Sequence, residues 1–259
     1  MSMELGDTFN AERYIAWHNT NVDVGGDVEK SITELIASVR EHIKPFFPDA
    51  GELLTMIRQA ANAEIMVKEF TAIKDNYELP LNALSGRNPS EQGALFKSTE
   101  STLDKLWRRN RERAGGNYVR VQDIKDNIHD IVRASVICPS LFHARMFSER
   151  LAKWDAFRPP ERLSMIEKVH VENEAKLSDG YFAYHALVYF VGFEFPLEIQ
   201  MYSRITSIWR DMSHIVYESR RTGHKIISRP GEATTRLVSL GHLLHIAECE
   251  LERLMTELK

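Results

Sequence analysis

The 259-residue chain is poor in the features that mark specialised proteins. It has two cysteines, Cys138 and Cys249, far apart and without metal-type spacing. A disulfide framework is therefore excluded in practice, and both are expected as reduced thiols. No apolar run approaches the roughly 20 residues that span a bilayer, so no membrane partner is expected. The opening MSMELGDTFN carries neither a basic n-region nor an apolar h-region, which predicts no signal peptide and a cytoplasmic protein. An excess of positive charge is also missing. The formal net charge is −4, so any contact with nucleic acid must come from a local patch. Internal repeats and low-complexity segments are lacking as well. What is there is an ordinary soluble composition, 43% hydrophobic and 27% charged, enough for one large domain or one domain with helical additions.

Periodicity supplies an outline. Val28, Ile32, Leu35, Ile36, Val39 and Ile43 recur at three- and four-residue steps, predicting a helix over 27–47 that Pro45 ends. A second helix is predicted over 52–74, with Leu53, Leu54, Ile57, Ala61, Ile65, Val67 and Phe70 near one face. The stretch 80–92 holds Pro, Gly, Asn and Ser and reads as a loop. A helix follows over 98–113, broken by Gly115-Gly116-Asn117. Residues 130–138, rich in Ile and Val and stopped by Pro139, predict a strand. A helix over 141–157 and a strand over 163–171 come next. Two strands over 180–191 and 195–202 then form a hairpin about Gly192, and helices follow over 203–219 and 233–258. The plan is helices, a mixed α/β centre, then helices.

Side chains alternate across a strand, so Glu198, Gln200 and Tyr202 share one face while Leu197, Ile199 and Met201 share the other. The preceding strand places Tyr181, Ala183 and His185 together. If the two polar faces coincide, a carboxylate, an amide, a phenol and an imidazole converge. One wet face on an antiparallel hairpin gives the same pattern without any site.

The identities of these residues add to the pattern. Gly180-Tyr181-Phe182-Ala183-Tyr184-His185 followed by Leu197-Glu198-Ile199-Gln200-Met201-Tyr202-Ser203 resembles the G-Y-x-x-x-H and E-I-Q-x-x-[ST] pair of RelA/SpoT-type alarmone synthetases. Trp209, His214 and Tyr217 are similar to residues on that family's next helix. Lys97-Ser98-Thr99-Glu100-Ser101-Thr102-Leu103-Asp104-Lys105 resembles its K-S-x-x-S-[IL]-x-x-K element. His129 to Ile137 resembles its D-[IL]-x-x-x-R-[VI]-[IV] strand. The elements occur in family order over residues 93–220.

Pattern and resemblance together predict an α+β fold: a mixed β-sheet, nucleotidyltransferase-like synthetase domain over 86–222, between an N-terminal helical region over 1–85 and a C-terminal helix over 223–259. The resemblance implies attack of a 3′-hydroxyl on the β-phosphorus of ATP, with release of AMP. It implies that Asp130 and Glu198 are catalytic and hold Mg²⁺, and that Glu198 assists removal of the hydroxyl proton. Lys97, Ser101, Lys105 and Arg133 are implied as ATP- and phosphate-binding, and Tyr181, His185 and Gln200 as acceptor-binding. Gly180, His214 and Tyr217 are implied as supporting residues, with His214 and Tyr217 behind the pocket or in the core. On a helix Lys97 and Lys105 would project within roughly 80° of each other, unless Lys97 precedes the helix.

Four departures bear on substrate. Leu95 and Ser135 stand where the family has arginines, with Arg133 a substitute from the other face. Tyr202 replaces the arginine of E-I-Q-x-R-[ST], and Asp179 replaces the neutral residue of N-G-Y. The divergent toxin branch of the small alarmone synthetases departs in this manner, and its members make adenosine alarmones or pyrophosphorylate the 3′ end of tRNA. Arg108, Arg109, Arg111 and Arg113 are either phosphate contacts to tRNA or a charged helix end. The acceptor is therefore left open among GDP, GTP, ADP, ATP and tRNA. A degenerate nucleotide- or partner-binding module without catalysis is the non-enzymatic alternative. An HD-type hydrolase is disfavoured, since His129-Asp130 is a single such pair. His242 and His245 alone make no zinc site. The helical ends are candidates to pack on the domain, to form a homo-oligomer or to dock an antitoxin protein.

Overall fold

A computed structural model describes residues 8–63, 76–113, 116–157, 163–176, 178–222 and 230–257. Asn10 caps α1 (Ala11–Asn21), its side chain accepting from the Arg13 N–H at 2.8 Å. Asp27 caps α2 (Val28–Ile43) in the same way through Lys30. The predicted apolar stripe of α2 is the buried one: Val28, Ile32, Ile36, Val39 and Ile43. A 3₁₀ turn at Lys44–Phe46 carries Pro45, and α3 (Phe47–Ala63) follows it. The remainder of the helix predicted to residue 74, with Ile65, Val67 and Phe70, lies outside the described residues.

Residues 80–92 are not a plain loop. They form two short helices, α4 (Leu81–Leu84) and α5 (Pro89–Ala94). Asn88 accepts from the N–H groups of Ser90 and Glu91, and Pro89 presets the first helical φ. The residue types that suggested a loop are here a cap and an N1 proline. Ser98 caps α6 (Thr99–Arg111), and α7 (Ile124–Asn127) precedes the sheet.

The sheet has four strands: β1 (Val132–Cys138), β2 (Ile166–Lys176), β3 (Tyr181–Phe190) and β4 (Phe193–Ser203). Their order is β1-β4-β3-β2. β1 runs parallel to β4 and the other pairs are antiparallel, so the sheet is mixed and the fold is α+β. The β3–β4 hairpin turns at Val191-Gly192, where Gly192 has φ +74°, a conformation glycine adopts without steric cost. α8 (Leu141–Ala152) lies between β1 and β2, and α9 (Arg204–Thr222) and α10 (Pro230–Glu257) complete the described chain.

Val132, Ala134, Val136, Ala186, Val188, Leu197, Ile199 and Met201 bury one face of the sheet, against which α8 packs. The same core takes in Tyr14 and Trp17 of α1 and the apolar faces of α2 and α3. Each fully buried aliphatic side chain contributes about 1.5–3 kcal/mol, and that one-sided burial leaves the opposite face free for polar groups. α10 is seated on the turn before β3 by an unusually close backbone approach. A Cβ on Gly180 (φ +68°) would lie 2.6 Å from the Val238 carbonyl oxygen, and one on Gly241 would lie 2.2 Å from that of Gly180.

Candidate active site

The strand register sets the polar groups side by side. His185 of β3 pairs with Gln200 of β4, which pairs with Ser135 of β1; Leu187, Glu198 and Arg133 form the next row. Positions two apart on a strand share a face, so the two polar faces of the hairpin do coincide. Arg133 also points to the same face as Ser135, which corrects the expectation that it would act from the other side.

Glu198 is held at both oxygens. Gln200 Nε2 donates to Oε2 at 2.7 Å, and His185 Nδ1 lies 3.3 Å from Oε1. His185 Nε2 in turn is 2.9 Å from the Tyr181 hydroxyl. Of the two ring nitrogens, Nδ1 is placed to donate to the carboxylate and Nε2 to accept a hydrogen bond from the Tyr181 O–H, a tautomer assigned from the network. The Tyr181 ring packs against Trp209, whose Nε1 donates to the Leu237 carbonyl at 2.7 Å, so α9 and α10 brace it.

At the neighbouring end of the face, Asp130 lies in the turn before β1 rather than inside the strand. Its two oxygens meet Lys97 Nζ and Lys105 Nζ, each at 2.8 Å. Burial alone would raise the Asp130 carboxyl, but the Lys105 and Lys97 ammoniums outweigh it and hold it well below the usual carboxylate range. Burial lowers the Lys97 ammonium from its ordinary value, with Asp130 opposing. Lys97 precedes α6 and is fixed by backbone: its N–H donates to the Ile131 carbonyl at 2.9 Å, and Phe96 bridges to Val132. The two lysines therefore converge through a carboxylate, not by stacking on one helix.

Two cavities of about 580 and 410 Å³ open on this face and share Lys105, Arg109, Glu112 and His185. The larger is lined by Lys97, Ser101, Asp130, Arg133, Tyr181 and Gln200, and also by His214 and Tyr217. Those last two are neither behind the pocket nor in the core: His214 is exposed and Tyr217 donates to Asp104 Oδ2 at 2.8 Å. Glu198 lines the smaller cavity, with His129, His170 and Arg113. Arg111 lies over the Trp107 ring and lines neither.

Leu95 is buried in the core and reaches the site only through its carbonyl, which accepts from the Arg133 N–H. Tyr202 is fully buried. Sequence reasoning missed Arg210, which reaches two of the four departing positions: Nη1 donates to Ser135 Oγ at 3.0 Å, and the guanidinium lies 4.6 Å from the Tyr202 ring centroid. It also missed buried Asp104, which takes Arg108 at 3.0 Å as well as Tyr217. The available signal was helical spacing, since Arg210, His214 and Tyr217 fall at i, i+4 and i+7. His242 and His245 pack on Phe182, and among the described residues no group of three His, Cys, Asp or Glu forms a metal cluster.

No family model and no curated protein matches the chain. Among solved structures it is similar to the small alarmone synthetase 1 from Bacillus subtilis bound to its product pppGpp. The TM-score is 0.44 and the identity 18%, over 62% of this chain and 76% of that one. A second structure of that synthetase matches over the same shares with a TM-score of 0.43 and 16% identity.

Proposed function

We propose that this protein is an ATP-dependent pyrophosphokinase that transfers the β,γ-pyrophosphate of ATP to the 3′-hydroxyl of a nucleotide. The observation that carries the reading is a carboxylate gripped by two lysines in the turn before β1, at the end of a strand face where a second carboxylate is held by His185 and Gln200. Two ammoniums on one carboxylate leave a local positive excess, suited to a polyphosphate in a chain whose net charge is −4. Phosphoryl-group transfer asks the protein chiefly for such positioning and charge neutralisation.

In this reading Lys97, Lys105 and Arg133 hold the donor's phosphates, with Ser101 beside them. Glu198 accepts the proton of the 3′-hydroxyl as its oxygen bonds to the β-phosphorus. The bond from that phosphorus to the α–β bridging oxygen breaks, and AMP leaves. His185 and Gln200 keep the carboxylate oriented, and the Tyr181 ring offers a surface to the acceptor's base. Asp130 and Glu198 also fit a Mg²⁺ brought in on the nucleotide, because a hard cation of this kind takes one or two carboxylates and completes its shell with phosphate oxygens and water. Bound there, the cation would neutralise phosphate charge beside Lys97 and Lys105.

A second reading concerns the acceptor. Arg108 and Arg109 face the larger cavity and Arg113 the smaller, which favours a phosphate-rich acceptor such as the 3′ end of tRNA beside a free nucleotide. α9 and α10 also leave Ile208, Ile215, Leu243 and Ile246 more than half exposed, a surface for a second copy or an antitoxin. Incubation with γ-labelled ATP and, separately, GDP, GTP, ADP, ATP and deacylated tRNA tests the proposal. Label on a nucleotide supports alarmone synthesis, and label on tRNA alone assigns the toxin activity. Label on none of them ends the enzymatic reading.

A further inference from the structure

The cations of the larger cavity differ in what neutralises them. Lys97 and Lys105 share Asp130, and Arg108 pairs with buried Asp104. Among the described residues, the carboxylate partner of Arg210 is its chain neighbour Asp211, at 3.3 Å. That Asp211 side chain is 69% exposed, so the pair is screened by water and worth little.

The Arg210 head is nonetheless held in place. Nη1 donates to Ser135 Oγ on β1 at 3.0 Å, Nη2 to Asp211 at 3.3 Å, and the guanidinium carbon sits over the ring of buried Tyr202 on β4 at 4.6 Å. A planar fork with five N–H donors, stacked on an aromatic and braced by a hydroxyl, is preorganised for phosphate oxygens. Its side chain is 24% exposed and lines the cavity that holds Lys97, Lys105 and Arg133.

We propose that Arg210 is a phosphate-binding residue for the donor nucleotide, with its guanidinium positioned by Ser135 and Tyr202 and its charge reserved for the polyphosphate. The identity of the ligand rests on the pyrophosphokinase reading; the positioning does not. Because Ser135 and Arg210 meet, an arginine at position 135 can place a guanidinium in the same space from the strand.

The test is calorimetric titration with α,β-methylene-ATP, which cannot be cleaved at the α–β bond, alongside thermal unfolding of each variant. Arg210→Ala is expected to weaken binding roughly 10- to 100-fold with its melting temperature unchanged. Arg210→Lys is expected to recover only part of the loss, because an ammonium neither stacks nor forks. Ser135→Arg in the Arg210→Ala background is expected to recover most of it. Binding by Arg210→Ala equal to wild type overturns this proposal alone. So does a loss that tracks a fall in melting temperature and is not recovered by the double variant, which would make Arg210 a structural clamp. A wild type that neither binds the analogue nor transfers label removes the pyrophosphokinase reading and this proposal with it.

Discussion

The two carboxylates of the polar face are treated in opposite ways. Asp130 sits between two ammoniums, nearly buried, and is kept ionised by them. Glu198 has no ammonium within ion-pair distance among the described residues; a primary amide and an imidazole hold it. An anion locked by cations is a poor proton acceptor and a good electrostatic anchor. A carboxylate oriented by an amide and an imidazole, with no ammonium on either oxygen, is arranged differently. Under the proposed function, one carboxylate would hold charge in the turn before β1 and the other would accept a proton on β4.

The largest expected effect comes from breaking the charge-holding end. Asp130→Asn leaves the Lys97 and Lys105 ammoniums without their counter-ion in a site where Lys97 is only 7% exposed. A loss of about 3–5 kcal/mol in denaturant unfolding is expected, together with loss of transfer. The pH dependence has a definite sign. A carboxyl held below its ordinary value contributes stability that is fully present above the unfolded value, about 4. That contribution is lost as pH falls through the lower folded value. The stability gap between wild type and Asp130→Asn should therefore be constant near neutrality and narrow only below about pH 4. A gap that narrows between pH 5 and 7 would contradict the account of Asp130.

A smaller effect sharpens the other end. Tyr181→Phe removes the hydroxyl that meets His185 Nε2 and keeps the ring, so a stability loss of about 1 kcal/mol is expected. The imidazole nitrogen chemical shifts, followed by NMR, should change, because the ring loses its partner at Nε2. Unchanged imidazole nitrogen shifts would show that Tyr181 serves only as a packing surface.

What could be read in the sequence follows from how local each signal is. The α2 stripe and the shared face of Glu198 and Gln200 depend on periods of 3.6 and 2.0, and both hold in the fold. The rows joining His185, Gln200 and Ser135 needed register, which turn and sheet topology set and a single strand does not show. Placing Asp130 inside β1 failed because the strand's apolar alternation starts at Val132. Lys97 and Lys105 meet on Asp130 rather than by projecting from one helix. A backbone bridge between Phe96 and Val132 is a long-range contact with no local signature. Arg210 was passed over because it carries no chemistry until α9 is laid across Ser135 and Tyr202.

The central claim is that Glu198 accepts the proton of the attacking hydroxyl while Asp130 holds charge. The most direct measurement compares pyrophosphate transfer from γ-labelled ATP by wild type and Glu198→Gln, with unfolding of both followed in parallel. Transfer is expected to fall 10²- to 10⁴-fold, with an unfolding free energy within about 1 kcal/mol of wild type. A Glu198→Gln protein that transfers label at the wild-type rate would contradict that claim.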